Sequence, residues 1–117
     1  MSKVLVVNND IDIMDLIQKW LERKGNVKVK YTGDEDEVPH LVKKFQPDVV
    51  LIDILKAEAA KKIKEDKELK PIPVIIMTGY TITTPANCLE IADDVIEKPF
   101  DPKVLEQKVG KFLKKTG

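Results

Sequence analysis

The sequence predicts an α/β fold: a doubly wound, five-stranded parallel sheet in the order 2-1-3-4-5 with helices on both faces. Three observations carry that expectation. Apolar runs and amphipathic segments alternate five times along the 117 residues, which calls for crossover connections and a parallel sheet covered on both sides. The run Asp48-Val49-Val50-Leu51-Ile52-Asp53 is continuously apolar between two carboxylates, the pattern of a strand buried on both faces. Val27-Lys28-Val29-Lys30-Tyr31 alternates instead, the pattern of an edge strand whose lysines discourage edge-to-edge pairing. With the second strand at an edge, the first and third flank the switch point, where a crevice opens at their carboxyl ends.

Each element has its own warrant. Lys3–Val7 reads as the first strand. Ile13, Met14, Leu16, Ile17, Trp20 and Leu21 recur at three- and four-residue intervals, which predicts a helix over Ile11–Lys24 stopped by Gly25. Asp34–Phe45 is the second helix, regular from about Val38 because Pro39 is tolerated only in a first turn. Asp48–Asp53 is the central strand. Lys56–Leu69 is helical by propensity, with Ala59, Ala60, Ile63 and Leu69 inward, and Pro71-Ile72-Pro73 ends it. Val74–Met77 is a further buried strand, and Thr84-Pro85 predicts a short helix through Ala92. Asp94–Glu97 is the last strand. Asp101-Pro102 opens a helix through Lys115, with Val104, Leu105, Val109, Phe112 and Leu113 inward.

Composition narrows the function classes. The length fits one domain over residues 1–117. Twenty basic residues balance twenty acidic ones, which gives no electrostatic case for direct nucleic-acid binding and favours self-association as a homodimer. The lone cysteine, Cys88, has no partner for a disulfide and no ligand set for zinc, as expected of a cytoplasmic protein. No apolar run nears the roughly 20 residues that span a bilayer, so no membrane association is expected. A single histidine, His40, leaves no catalytic pairing, and no enzyme activity is expected. The chain also lacks a glycine-rich loop after its first strand, which speaks against a flavin or nucleotide site.

Asp53 is the residue to watch, since a carboxylate closing a buried strand is presented at the sheet edge where ligands bind. Thr78 and Lys98 close the fourth and fifth strands, so a hydroxyl and an ammonium are placed to meet it. At this point the chain resembles the receiver domain of two-component response regulators, the CheY-like family. The resembling stretches are Lys3–Val7 with the polar triplet after it, Pro47–Asp53, Pro73–Gly79 and Glu97-Lys98-Pro99-Phe100. The resemblance implies that Asp53 accepts a phosphoryl group from a histidine kinase or phosphotransfer protein, that Thr78 and Lys98 bind that group, and that a downstream protein partner reads the result. Magnesium is the implied cofactor, held by carboxylates and waters.

Several positions depart from the family pattern. Two acidic residues normally follow the first strand; Asn8 and Asn9 stand there. The expected metal set is therefore a weakened one: Asn9, Asp10, Asp53 and the carbonyl of Leu55. Asp10 reads more naturally as the N-cap of the first helix, and Asn8 and Asn9 as turn residues. The loop after Asp53 is short and lacks a turn residue, and Val95 replaces the usual switch aromatic. Tyr80 either stacks over the site or fills a gap. The expected function is a receiver with weakened magnesium binding and slow phosphorylation. The alternative is a pseudo-receiver, a phosphorylation-independent interaction or dimerisation module. The last predicted helix ends at the terminus, so output passes through another protein or the chain is one domain of a longer one.

Overall fold

The computed structural model describes residues 1–23, 25–79, 90–98 and 101–113. Its sheet contains five strands in the order β2-β1-β3-β4-β5: β1 (Ser2–Val7), β2 (Val27–Thr32), β3 (Val49–Asp53), β4 (Val74–Thr78) and β5 (Asp94–Glu97). Every neighbouring pair is parallel. The helices are α1 (Ile11–Glu22), α2 (Val38–Phe45), α3 (Ala57–Glu65) and α4 (Pro102–Gly110). The predicted fold class, sheet order and strand directions are all observed.

Two apolar layers hold the sheet. On one face Val4, Val6, Leu51, Ile75 and Met77 pack with Met14, Ile17 and Leu21 of α1 and Leu105 and Val109 of α4. On the other, Leu5, Val7, Val50, Ile52 and Ile76 pack with Val38, Leu41, Val42 and Phe45 of α2 and Ala59, Ala60 and Ile63 of α3. Successive strand residues serve opposite layers, the period-2 alternation of a pleated strand. β3 and β4 are buried from end to end, whereas β2 buries Val27 and Val29 and exposes Lys28 and Lys30.

Helix boundaries depart from the sequence expectation in instructive ways. α1 starts where expected because Asp10 caps it, accepting from Asp12 N and Ile13 N. It closes at Glu22, before Gly25 takes a left-handed φ of 79°, and Lys24 lies outside the described residues. α3 stops at Glu65, short of Leu69. Asp66 turns the chain: its carboxylate accepts from Glu68 N and its carbonyl from Leu69 N and Lys70 N. Leu69 is still buried, but from a turn. α4 closes at Gly110, and the segment to Leu113 is turn. Leu16 and Val104, both expected inward, are exposed, because only a stripe of each helix surface meets the sheet. The expected helix over Thr84–Ala92 falls mostly outside the described residues.

Replacing Asp10 with alanine orphans the first amides of α1, and should lower the unfolding free energy by about 1 kcal/mol. Urea denaturation checks this, and an unchanged midpoint would contradict the capping role.

Candidate functional site

The strand registers build the site. Val7 pairs with Ile52, so Asn8 comes level with Asp53 one step on. Asp53 pairs with Met77, and Thr78 with Glu97, which places Lys98 just beyond. Asn8, Asp53, Thr78 and Lys98 therefore cluster at the carboxyl ends of β1, β3, β4 and β5. Lys98 is tied to the sheet by its own backbone, its N–H donating to the Thr78 carbonyl at 2.7 Å. From there its ammonium reaches Asp53 Oδ2 at 3.0 Å.

Asp53 is only 8% exposed at its side chain, Lys98 27%. A carboxylate so deeply placed needs compensation for lost hydration. It has two partners: the Lys98 ammonium on Oδ2 and the Leu55 N–H on Oδ1 at 3.2 Å. The second contact caps a 3-10 turn over Ile54–Lys56 that leads directly into α3. Asp53 therefore serves at once as a turn cap and as the acid of the ion pair.

Two buried polar atoms beside this pair have no hydrogen-bond partner among the described residues: Asn8 Nδ2 and Thr78 Oγ1. Each residue is 2% exposed. Burial without a partner costs about 1–3 kcal/mol per group, so both are available for a ligand. The orientation of Asn8 is set by its surroundings. Its Oδ1 accepts from Asp10 N at 2.9 Å, a contact only the amide oxygen can make, which leaves the NH2 as the free end. Its backbone is held as well: Asn8 N donates to Thr32 O, and Gly33 lies so close that a Cβ there would sit 3.2 Å from the Asn8 carbonyl.

The residues implied for magnesium are differently disposed. Asp10 is exposed and spends Oδ1 on capping α1. Asn9 is exposed, and its Oδ1 lies near Gly33 of the β2–α2 connection. Leu55 is 81% exposed while its N–H serves Asp53. Among the described residues no three His, Cys, Asp or Glu side chains gather to hold a metal ion. Receiver domains commonly bind Mg2+, yet a lone carboxylate already paired with an ammonium, next to an amide that offers hydrogens, fits a hard divalent cation poorly.

At the other end of β5 from the site, Asp94 accepts from Val95 N and from Lys108 of α4. Burial pushes its carboxyl up, but the Val95 N–H and Lys108 outweigh this and hold it below the ordinary carboxylate value. Its contribution to stability is therefore full at neutral pH and is lost as pH falls through that lowered value. Lys108 also donates to the Val95 carbonyl. This clasp was missed in the sequence. Its only signal is the spacing that puts Lys108 in the last turn of α4 and Lys111 at its C-cap.

The chain matches the response regulator receiver domain over residues 4–110. It belongs to that family. As a receiver it has relatives among known transcriptional regulators. It is 30% identical to the probable transcriptional regulator ycf27 of Guillardia theta, over 98% of this chain and 46% of that protein. It is 26% identical to the alkaline phosphatase synthesis transcriptional regulatory protein PhoP of Bacillus subtilis, over 98% and 50%. The chain thus spans about half the length of the curated relatives it matches. Among solved structures, NtrX from Brucella abortus superposes with a TM-score of 0.82 at 27% identity, over 96% of this receiver and 26% of that chain. The BeF3-activated receiver domain of Klebsiella pneumoniae RstA gives 0.83 at 22%, over 97% and 100%, a likeness of fold alone. The receiver assignment from sequence stands, as does its place in two-component signalling. No described helix is long and apolar enough to cross a membrane.

If the Thr78 hydroxyl is unpartnered in the free protein, Thr78→Val should leave stability unchanged or raise it by about 1 kcal/mol. Urea denaturation at neutral pH reads this, and a clear loss would mean that the hydroxyl has a partner.

Proposed function

We propose that the chain is a phosphorylatable receiver whose switching is weakened. Asp53 accepts a phosphoryl group from a histidine kinase, a phosphotransfer protein or a small acyl phosphate. An Asp53 carboxylate oxygen attacks phosphorus, the bond from phosphorus to the donor's leaving group breaks, and that group departs with the electron pair, leaving an aspartyl phosphate. Thr78 and Lys98 then donate to the phosphoryl oxygens. The observation that carries this reading is the 3.0 Å contact between Lys98 Nζ and Asp53. It puts the cation where charge develops, close to a nucleophile that burial has stripped of most water.

Phosphorylation is slow for two reasons. Both Asp53 oxygens already accept a hydrogen bond, which lowers the nucleophilicity of the lone pairs that remain. The acidic pair that would gather a divalent cation is replaced by Asn8 and Asn9. Output goes to a downstream protein rather than directly to nucleic acid, within the cytoplasm. A groove of about 530 Å3 along β5 and α4, lined by Val95, Glu97, Asp101, Val104 and Lys108, offers that partner a surface.

The second reading, a pseudo-receiver serving as a constitutive interaction or dimerisation module, is favoured by Asn8 and Asn9 where the acidic pair normally stands and by half-buried Val95. A branched valine cannot swing as a switch aromatic would. Incubation with acetyl phosphate, followed by intact mass, separates the two. The proposal expects partial phosphorylation over hours, absent from Asp53→Asn. An unmodified chain at all times favours the pseudo-receiver. Asn8→Asp combined with Asn9→Asp should restore magnesium binding and speed the reaction; no gain would move the blame to the short loop after Asp53.

A further inference from the structure

The poor match between this crevice and a divalent cation points to a different ligand chemistry. Three groups converge on the carboxyl ends of the central strands as donors: the Asn8 amide, the Thr78 hydroxyl and the Lys98 ammonium. Two of them are nine-tenths or more buried and have no partner among the described residues. Where a receiver normally places an acid at the end of its first strand, this chain carries an amide whose NH2 is kept turned away from Asp10 N by the Asn8 Oδ1 contact. Turning the amide round to offer oxygen to a cation would break that contact and set Nδ2 against the Asp10 N–H. A strand-end cluster of donors with one ammonium suits a tetrahedral oxyanion.

We propose that the crevice is an oxyanion site that works without a divalent cation, in which the Asn8 side-chain amide takes over part of the charge stabilisation and selects phosphate-class anions. This deepens the phosphorylatable-receiver reading and rests on it for the biological use of the site, though binding itself does not require transfer. Asp53 opposes a free anion, and Lys98 is shared with it. The unphosphorylated protein therefore binds inorganic phosphate weakly. Neutralising Asp53 releases Lys98 and strengthens binding. Asn8→Asp reverses the preference: a carboxylate at that position repels the anion and adds a second acid for a cation.

The test is a titration of the full 15N-labelled chain with inorganic phosphate in EDTA, with chloride at matched ionic strength as control, followed by the Asn8 side-chain NH2 and the Thr78 and Lys98 backbone amides. Saturable shifts at these groups are expected. Binding should be roughly tenfold or more tighter in Asp53→Asn, from the removed repulsion, and lost in Asn8→Asp, whose spectrum should respond to magnesium instead. Thr78→Val, which keeps the side-chain shape, should weaken binding and gives a second reading if Asn8→Asp fails to fold. No saturable shift in either the natural chain or Asp53→Asn, shifts that require added magnesium, or undiminished binding by Asn8→Asp or, if that does not fold, by Thr78→Val overturns the proposal. Phosphate binding without any acetyl phosphate adduct sinks only the phosphorylation reading. An adduct that forms solely with magnesium sinks only this one.

Discussion

The ion pair between Asp53 and Lys98 is the contact on which the site depends. It joins residues 45 positions apart in the chain, and it exists only if three strands keep their registers. A one-residue slip of β4 or β5 would turn every side chain to the other face and carry Lys98 away from β3. The continuous apolar runs of β3 and β4, buried on both sides, oppose such slips. The pair in turn neutralises a carboxylate that the core has almost closed off from water. Packing thus sets the geometry, and the geometry makes an otherwise costly buried charge tolerable.

Much of this was legible in the residues. β2 declared itself an edge by its alternating lysines, β3 a centre by its unbroken apolar run, and together they give the sheet order. Asp53, Thr78 and Lys98 could be placed at one rim from topology alone. Local competition was harder to read. Helical propensity carries on to Leu69, but Asp66 offers its own carboxylate and carbonyl to the amides that follow, and the helix loses to a turn. Leu16 and Val104 look like core at helical spacing, yet the width of the packed stripe decides which of the apolar positions is covered. The Asp94–Lys108 clasp joins an exposed-looking acid to one lysine among many, and no local pattern singles it out.

Asn8 shows where sequence reading and structure part most usefully. In the sequence it registers as a missing acid and a turn residue. In the fold it is buried, level with Asp53, and fixed by Asp10 so that hydrogens rather than oxygen are left free. The same substitution that removes a metal ligand therefore adds a donor. Asp10, one position too late to replace the lost acid, is what imposes that orientation, because capping α1 holds its backbone N–H against Asn8. Asn8 and Asn9 alter charge and hydrogen-bond polarity at the rim, while the two apolar layers beneath stay intact.

The central claim is that Asp53 and Lys98 are energetically coupled across the strand ends. A double-mutant cycle with Asp53→Asn, Lys98→Met and the combined variant, by urea denaturation at neutral pH, measures it most directly. For a pair this buried on the carboxylate side and partly open on the ammonium side, the account predicts a coupling of about 1–2 kcal/mol, with the double variant less destabilised than the sum of the singles. Effects that add to within about 0.3 kcal/mol would contradict it.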